Sequence, residues 1–366
     1  MRGLILSGGA GTRLRPITHT SAKQLVPVAN KPILFYGLED MATAGIVDIG
    51  IVVGDTGAEI RAAVGDGSRF GVRVTYLQQD APRGLAHCVL IARDFLGDED
   101  FVMYLGDNML EAGLAGFVDN FENQRRAAGG GPAGERAAVA QILLKEVDNP
   151  SSFGVAQVGA DGEVVRLIEK PAVPPSNLAL VGVYLFDAHI HEAVAAIEPS
   201  PRGELEITDA IQWLIDQGHR VRHEVLAGWW IDTGKKDPLL ECNRLVLDTI
   251  ATSLLGTMDG DSTVEGRVIL EAGAQLVRSR VRGPAVIGAG TLLQDSYVGP
   301  YSSIAARCQI IDSEVENSVV LEDTRIVGIP RLADSLLGRN TEVLRSGQRP
   351  TATRLMLGDH SHVDLE

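Results

Sequence analysis

Gly3-Leu4-Ile5-Leu6-Ser7-Gly8-Gly9-Ala10-Gly11-Thr12-Arg13-Leu14-Arg15-Pro16 is the stretch around which the chain is organised. Its first four residues are a short apolar run and read as a buried strand. The strand empties into Gly8-Gly9-Ala10-Gly11, a loop that can turn tightly and bring backbone N–H groups against an anion. Arg13 follows at once. Lys23 stands further on, in Ser21-Ala22-Lys23-Gln24-Leu25-Val26-Pro27-Val28. A strand, a glycine loop and two cations together suit a polyphosphate. The glycines alone would equally serve a strand-to-helix turn. The loop has neither the Gly-Lys-Ser/Thr ending of a P-loop nor the G-x-G-x-x-G spacing of a dinucleotide site.

Working outward, strands alternate with helices. Asn30–Ala44 reads as a helix with Pro32 in its first turn and Gly45 after its end. Ile49–Val53 and Val72–Leu77 read as strands, Ala58–Val64 and Gly84–Phe95 as helices, and Phe101–Leu105 as a strand ending in Gly106-Asp107-Asn108. This order implies a mostly parallel, doubly wound sheet, in which ligands sit at the carboxyl ends of strands. The glycine loop and Asp107 both occupy that position. Further strands are expected at Val139–Leu144, Gly154–Val158, Val164–Ile168 and Leu180–Phe186, and another ends in the turn of Trp230-Ile231-Asp232-Thr233-Gly234. Leu205–Asp216 and Pro238–Leu255 read as helices, and Arg126–Arg136, rich in Gly and Ala, as a loop.

Beyond Ser262 the pattern changes to a repeat. Val264, Leu270 and Leu276 recur 17 residues on as Val281, Ile287 and Leu293, then as Val298, Ile304 and Ile310, then as Val315, Leu321 and Val327. Steps of six, six and five describe three short strands per coil, each sending one aliphatic residue inward. This resembles the hexapeptide repeat of left-handed parallel β-helices, with Leu332, Leu337 and Val343 as a looser fifth coil. The expected organisation is a catalytic domain at 1–240, a helical linker at 241–262, a β-helix at 263–345 and a polar tail at 346–366.

The 366 residues carry a formal net charge of -15 without a basic block, which disfavours nucleic acid as a partner. No apolar run approaches the ~20 residues of a membrane span, so no membrane is expected. Cys88, Cys242 and Cys308 are few and far apart, which suits free thiols in a cytoplasmic protein.

The string G-G-x-G-T-R-L-x-P with K-Q-L-V-P-V behind it resembles the signature of sugar nucleotidylyltransferases. Over about the first 240 residues the chain is most similar to glucose-1-phosphate thymidylyltransferases, and its β-helix resembles their long form. The fold implied is a Rossmann-like nucleotidyltransferase domain with a mostly parallel mixed sheet, followed by a left-handed β-helix. The reaction implied joins dTTP to glucose 1-phosphate, giving dTDP-glucose and pyrophosphate with Mg²⁺. A homo-oligomer assembled through the β-helix is also expected.

The resemblance assigns roles residue by residue. Arg13, Lys23 and Lys170 would be catalytic, with Arg13 on the β- and γ-phosphates, Lys23 on the triphosphate and Lys170 on the sugar phosphate. Leu6, Gly8, Gly9, Gly11, Thr12, Gln79, Gly84 and Asp107 would bind the nucleotide. Gln79 would read the thymine edge, since an amide offers both a donor and an acceptor. Gly154, Glu169, Lys170 and Leu180 would bind the sugar, and Asp107 and Asp232 would hold the metal, as Mg²⁺ is commonly held by one or two carboxylates plus phosphate oxygens. Taken singly, an Asp at a strand end is often a turn residue and a Glu-Lys pair often a solvated one. Their occurrence in the family's order and spacing carries the functional reading.

The chain departs from the family pattern at Arg83, where Asp is common, at His87, where Gln is common, and at Leu180-Val181-Gly182, often Val-Thr-Gly. These positions bear on sugar and base selectivity and leave the phosphate and metal residues intact. His87 itself reads as packed rather than catalytic. Three other readings stay open: another triphosphate or sugar 1-phosphate (UTP, or glucosamine or N-acetylglucosamine 1-phosphate), an acetyl transfer in the β-helix, and a non-catalytic subunit. The coils contain no histidine to act as an acyltransferase base, and the intact Arg13, Lys23, Asp107, Lys170 and Asp232 speak against a non-catalytic subunit.

Overall fold

The computed structural model describes residues 1–9, 11–19, 21–130, 137–160, 162–345 and 359–364. The chain divides into two compact units, Met1–Ala10 with Ile33–Ile231 and Gly11–Pro32 with Asp232–Glu366.

The first unit is built on a sheet of nine strands: β1 (Arg2–Ser7), β2 (Asp48–Val53), β3 (Arg73–Gln78), β4 (Phe101–Leu105), β5 (Ala140–Glu146), β6 (Gly154–Val158), β7 (Val164–Glu169), β8 (Leu178–Phe186) and β9 (Val221–Val225). The main path runs β7-β6-β8-β4-β1-β2-β3, with β5 on β8 and β9 on β5. Strands β3, β2, β1 and β4 are parallel, and β8 lies antiparallel to β4, β5 and β6. The sheet is therefore mixed, as the family resemblance implies. β1 is central, so both its faces are covered, and its apolar run is continuous rather than alternating. Leu4 and Ile5 are fully buried and, like Phe101 and Val102 of the adjacent β4, form the middle of the core.

Several local expectations change. The first long helix spans Ile33–Thr43, because Lys31–Pro32 pairs with Pro27–Val28 before it begins. The helix read over Gly84–Phe95 is two, Leu85–Ile91 and Arg93–Leu96, with the Ala92 N–H shared between the Cys88 and Leu90 carbonyls. The loop read over Arg126–Arg136 is helical as far as Gly130, in a helix from Ala115. Alanines and arginines are good helix formers, and Arg126 reaches back one turn to Glu122 at 2.5 Å. Residues 131–136 and most of the tail 346–366 lie outside the described residues.

The second unit contains three parallel faces of six, six and five short strands. Leu270 stands over Ile287 and Ile304, Leu276 over Leu293 and Ile310, and Val281 over Val298 and Val315, the 17-residue register read from sequence. The fourth coil corrects that register. Ile304 pairs with Val320 and Ile310 with Ile326, so Val320 and Ile326 fill the core in place of Leu321 and Val327. The cause is one corner. Where two coils turn through Gly283-Pro284 and Gly299-Pro300, the fourth turns through Glu316-Asn317 and is one residue shorter. Leu332, Leu337 and Val343 then resume the 17-residue step.

The helix expected to reach Leu255 ends at Leu247, and Ser253–Leu254 and Thr257–Met258 already pair with the next coil. Residues 241–262, expected as a helical linker, are thus part helix and part coil. Residues 11–32, expected within the 1–240 domain, group instead with the coils, and hydrogen bonds supply the reason. The Ala29 N–H and the Ser303 hydroxyl both donate to Asn243 Oδ1, at 2.8 and 2.7 Å, while Asn243 Nδ2 donates to the Tyr301 carbonyl at 3.0 Å. Asn30 Nδ2 donates to the Ile304 carbonyl at 2.7 Å, and Arg339 donates to Ser21 Oγ at 3.2 Å.

Candidate active site

In the first unit the site residues form two groups, of which the first lies at the carboxyl ends of the parallel strands. The first surrounds Gly8, immediately after β1. A β-carbon on Gly8 would come within 2.8 Å of Gln79 Oε1, so the glycine is what lets this side chain approach the backbone. Gln79 is buried, its N–H donates to the Val53 carbonyl at 2.8 Å, and its amide Nε2 lies 3.1 Å from His87 Nδ1. Gly84 has φ 100°, and a β-carbon there would collide with the backbone of Leu205. Leu205 in turn donates to the Arg83 carbonyl at 2.8 Å and accepts from Ala86 at 3.0 Å, which clamps the Gln79–Gly84 loop. Leu6 is buried on β1, and a β-carbon on Gly9 would meet nothing within 4 Å. Asp107 follows Gly106 at the end of β4, where the Gly106 N–H donates to the Leu6 carbonyl at 3.0 Å. Asp107 and Gly8 therefore follow neighbouring parallel strands.

The second group surrounds Gly154 and Glu169, which are register partners on β6 and β7. A β-carbon on Gly154 would meet Leu180 Cδ1 at 2.6 Å, Thr208 Cγ2 at 2.8 Å and Glu169 Oε2 at 3.1 Å. Three of the sequence-read sugar residues thus converge on one point. Lys170, with φ 42°, holds its N–H on the Phe153 carbonyl and its Nζ 3.2 Å from Glu169 Oε1. Arg202, which the sequence reading missed, donates to the same Oε1 at 3.2 Å and pairs with Glu204 at 2.7 Å and Glu206 at 3.7 Å. Thr208 Oγ1 donates to Glu169 Oε2 at 3.4 Å. Glu169, Lys170, Arg202, Glu206 and Asp209 face an open cleft of about 710 Å³. Burial raises the Glu206 and Asp209 carboxyls, and the charge of Glu169 pushes both in the same direction.

In the second unit, Gly11, Thr12, Arg13 and Lys23 belong with Asp232. Gly11 has φ 63°, and its carbonyl accepts from Thr18 Oγ1 at 2.6 Å. Thr12 is exposed at the head of the single 3-10 turn Thr12–Leu14 that carries Arg13. The Asp232 carboxylate lies between two cations, with Arg13 Nη2 at 3.4 Å from Oδ2 and Lys23 Nζ at 3.5 Å from Oδ1. Its own turn fixes it, since the Gly234 N–H donates to Oδ1 at 2.9 Å. A β-carbon on Gly234 would come within 2.8 Å of both cationic nitrogens. Lys23 is buried while Arg13 is mostly exposed.

The structure thus brings Gly8 to Gln79, Gly154 to Glu169, Lys170 and Leu180, and Arg13 to Lys23 and Asp232. Asp107 belongs to the first unit and Asp232 to the second. Among the described residues no group of three or more His, Cys, Asp or Glu forms a ready metal cluster.

A family model described as "Nucleotidyl transferase" matches residues 2–249. A glucose-1-phosphate thymidylyltransferase of Streptomyces griseus is 57% identical over 365 residues, covering 100% of this chain and 99% of the relative. Another, from Streptomyces antibioticus, is 53% identical over 366 residues and 100% of both chains, so the coils are shared as well. A solved Bacillus anthracis structure, assigned to the same activity, superposes with a TM-score of 0.61 at 34% identity, covering 69% of this chain and 98% of its own. With the glycine-loop string, the cradled glycines and the mixed sheet, these matches identify the chain as a member of the nucleotidyl transferase family.

Proposed function

We propose that this protein transfers a thymidylyl group from dTTP to glucose 1-phosphate, releasing pyrophosphate and forming dTDP-glucose. The observation that carries the reading is the 57% identity, end to end, with a relative named for that activity. In the reaction a sugar-phosphate oxygen attacks the α-phosphorus and pyrophosphate departs. Little covalent work falls to the protein, which must align two anions and neutralise their charge.

The roles follow the groupings described above. Arg13 and Lys23 neutralise the triphosphate, Arg13 toward the departing pyrophosphate. Leu6, Gly8, Gly9, Gly11 and Thr12 supply backbone to the nucleotide, and Gln79 and Gly84 hold the base. Glu169 accepts sugar hydroxyls, Lys170 holds the sugar phosphate, and Gly154 and Leu180 shape the space around the ring. Arg202 acts through Glu169, holding its carboxylate in place.

The donor set fits a hard divalent cation. Asp232 meets its two cations only at 3.4 and 3.5 Å, so its oxygens retain lone pairs for a metal. Asp107 and Asp232 would hold Mg²⁺, which when bound neutralises phosphate charge. Three free, buried thiols support a reducing, cytoplasmic setting. Exposed Leu255 and Met258 on the coil unit support a homo-oligomer assembled through the β-helix, which light scattering tests. The function itself is tested by pyrophosphate release from glucose 1-phosphate with dTTP, UTP, dCTP, GTP and ATP in parallel. Preference for dTTP is expected, and equal use of all five would overturn the assignment.

A further inference from the structure

The buried Gln79 amide has different neighbours at its two ends. Nε2 lies 3.1 Å from His87 Nδ1, while Oε1 lies on the side of Gly8. An amide nitrogen carries only donors, so this contact requires His87 Nδ1 to accept. The ring must then be neutral, with its proton on Nε2. A protonated imidazole donates from both nitrogens. It could bond Gln79 only through Oε1, and the amide would have to turn over, presenting NH₂ toward Gly8.

The geometry points to His87 as a positioning residue that sets which face of the Gln79 amide the base meets. With Oε1 on the Gly8 side, the amide accepts from a pyrimidine whose N3 carries hydrogen, such as thymine or uracil. With the amide reversed, it offers a donor and favours cytosine, whose N3 is an acceptor. Base selectivity is therefore tied to the protonation of His87. This inference rests on the proposed placing of the base at Gln79.

The charged groups beside His87 are Asp80 and Arg83, which pair with each other at 2.5 Å. The adjoining Cys88 thiol is pushed up to about 12 and stays neutral. Burial and Arg83 lower the His87 pKa while Asp80 opposes them, so the shift is downward. The neutral ring thus persists below the ordinary histidine value of about 6.5, and the amide is released only as pH falls further.

Two measurements test this. The first is the imidazole ¹⁵N spectrum of the ligand-free protein at neutral pH, with His87 assigned by its loss in His87→Gln. An unprotonated Nδ1 with protonated Nε2 is expected, and the opposite tautomer would overturn the inference whatever the enzyme's substrate. The second is the ratio of kcat/KM for dTTP over dCTP between pH 8 and pH 5. In the wild type the ratio should fall on the order of tenfold as His87 protonates, carried mainly by KM. His87→Gln, whose amide oxygen can accept from Gln79 at every pH, should keep a high, flat ratio. His87→Ala should give a low, flat one. A flat wild-type ratio, or a fall that survives in both variants, would overturn the role of His87. A wild type inactive with every pyrimidine triphosphate but showing the expected tautomer would instead overturn the functional reading and leave the His87–Gln79 bond standing.

Discussion

Two carboxylates in this molecule each sit between two cations, and they are held in opposite ways. Glu169 depends on side chains brought from far along the sequence, Arg202 at 3.2 Å and Thr208 at 3.4 Å, besides its neighbour Lys170. Asp232 is set by the N–H of Gly234, two residues on, and its cations stand off at 3.4 and 3.5 Å. Removing Arg13 from Asp232 therefore subtracts charge and one long bond, while the shorter bond from the Gly234 N–H still holds the carboxylate. Removing Arg202 from Glu169 subtracts a bond that no nearby backbone group replaces. The same motif, a carboxylate with two positive neighbours, thus separates into an electrostatic site and a positioning site.

The largest effect expected is on the electrostatic side. EDTA should abolish turnover and Mg²⁺ restore it, and Asp232→Asn should keep its melting temperature while losing most activity. Full activity in chelator would remove the metal from the comparison. Arg13→Ala comes next, with a kcat loss on the order of a hundredfold, the usual cost of removing one donor aimed at developing charge. Its KM for glucose 1-phosphate should stay near wild type, because interactions confined to the transition state act on kcat. Arg13→Lys should recover only part, since a point charge replaces a planar fork.

Arg202→Ala should show the contrasting pattern. KM for glucose 1-phosphate should rise on the order of tenfold, the worth of a hydrogen bond to a charged group, with kcat falling less. If Arg13→Ala and Arg202→Ala gave the same split between kcat and KM, the distinction between the two carboxylates would collapse. The smallest effect is reserved for Arg15, two residues from Arg13 and outside the motif. Arg15→Ala should change kcat within about threefold, an amount of ordinary surface substitutions. A loss equal to that of Arg13→Ala would mean the loop acts only as a basic patch.

Much of this is legible in the sequence. The apolar run of β1 and the glycines after it identify a central strand and its loop, because only a strand covered on both faces is apolar throughout. The 17-residue spacing identifies the coils, because each inward position must be aliphatic. What escaped did so for physical reasons. The slip at Val320 and Ile326 is hidden because Leu321 and Val327, one residue on, are aliphatic too. Only the missing residue in the Glu316-Asn317 corner betrays it. The helix through Arg126–Gly130 was masked by its glycines, although the Glu122–Arg126 spacing was a usable signal. Arg202 stands in Pro201-Arg202-Gly203, a string with no motif, and its partner Glu169 is 33 residues away. Such a pairing is set by tertiary structure alone.

The clamp on residues 29 and 30 has a consequence for the order in which the protein can be made. Ala29 bonds a residue 214 positions later, and Asn30 bonds one 274 positions later. At ordinary elongation rates of about 5–20 residues per second, the ribosome takes roughly 15–55 seconds to travel from Asn30 to Ile304. For that interval the segment carrying Arg13 and Lys23 exists without the groups that fasten it. Arg13 and Lys23, translated early, are thus among the last residues to reach their final place, and a nascent chain halted before the coils should be unable to hold them there.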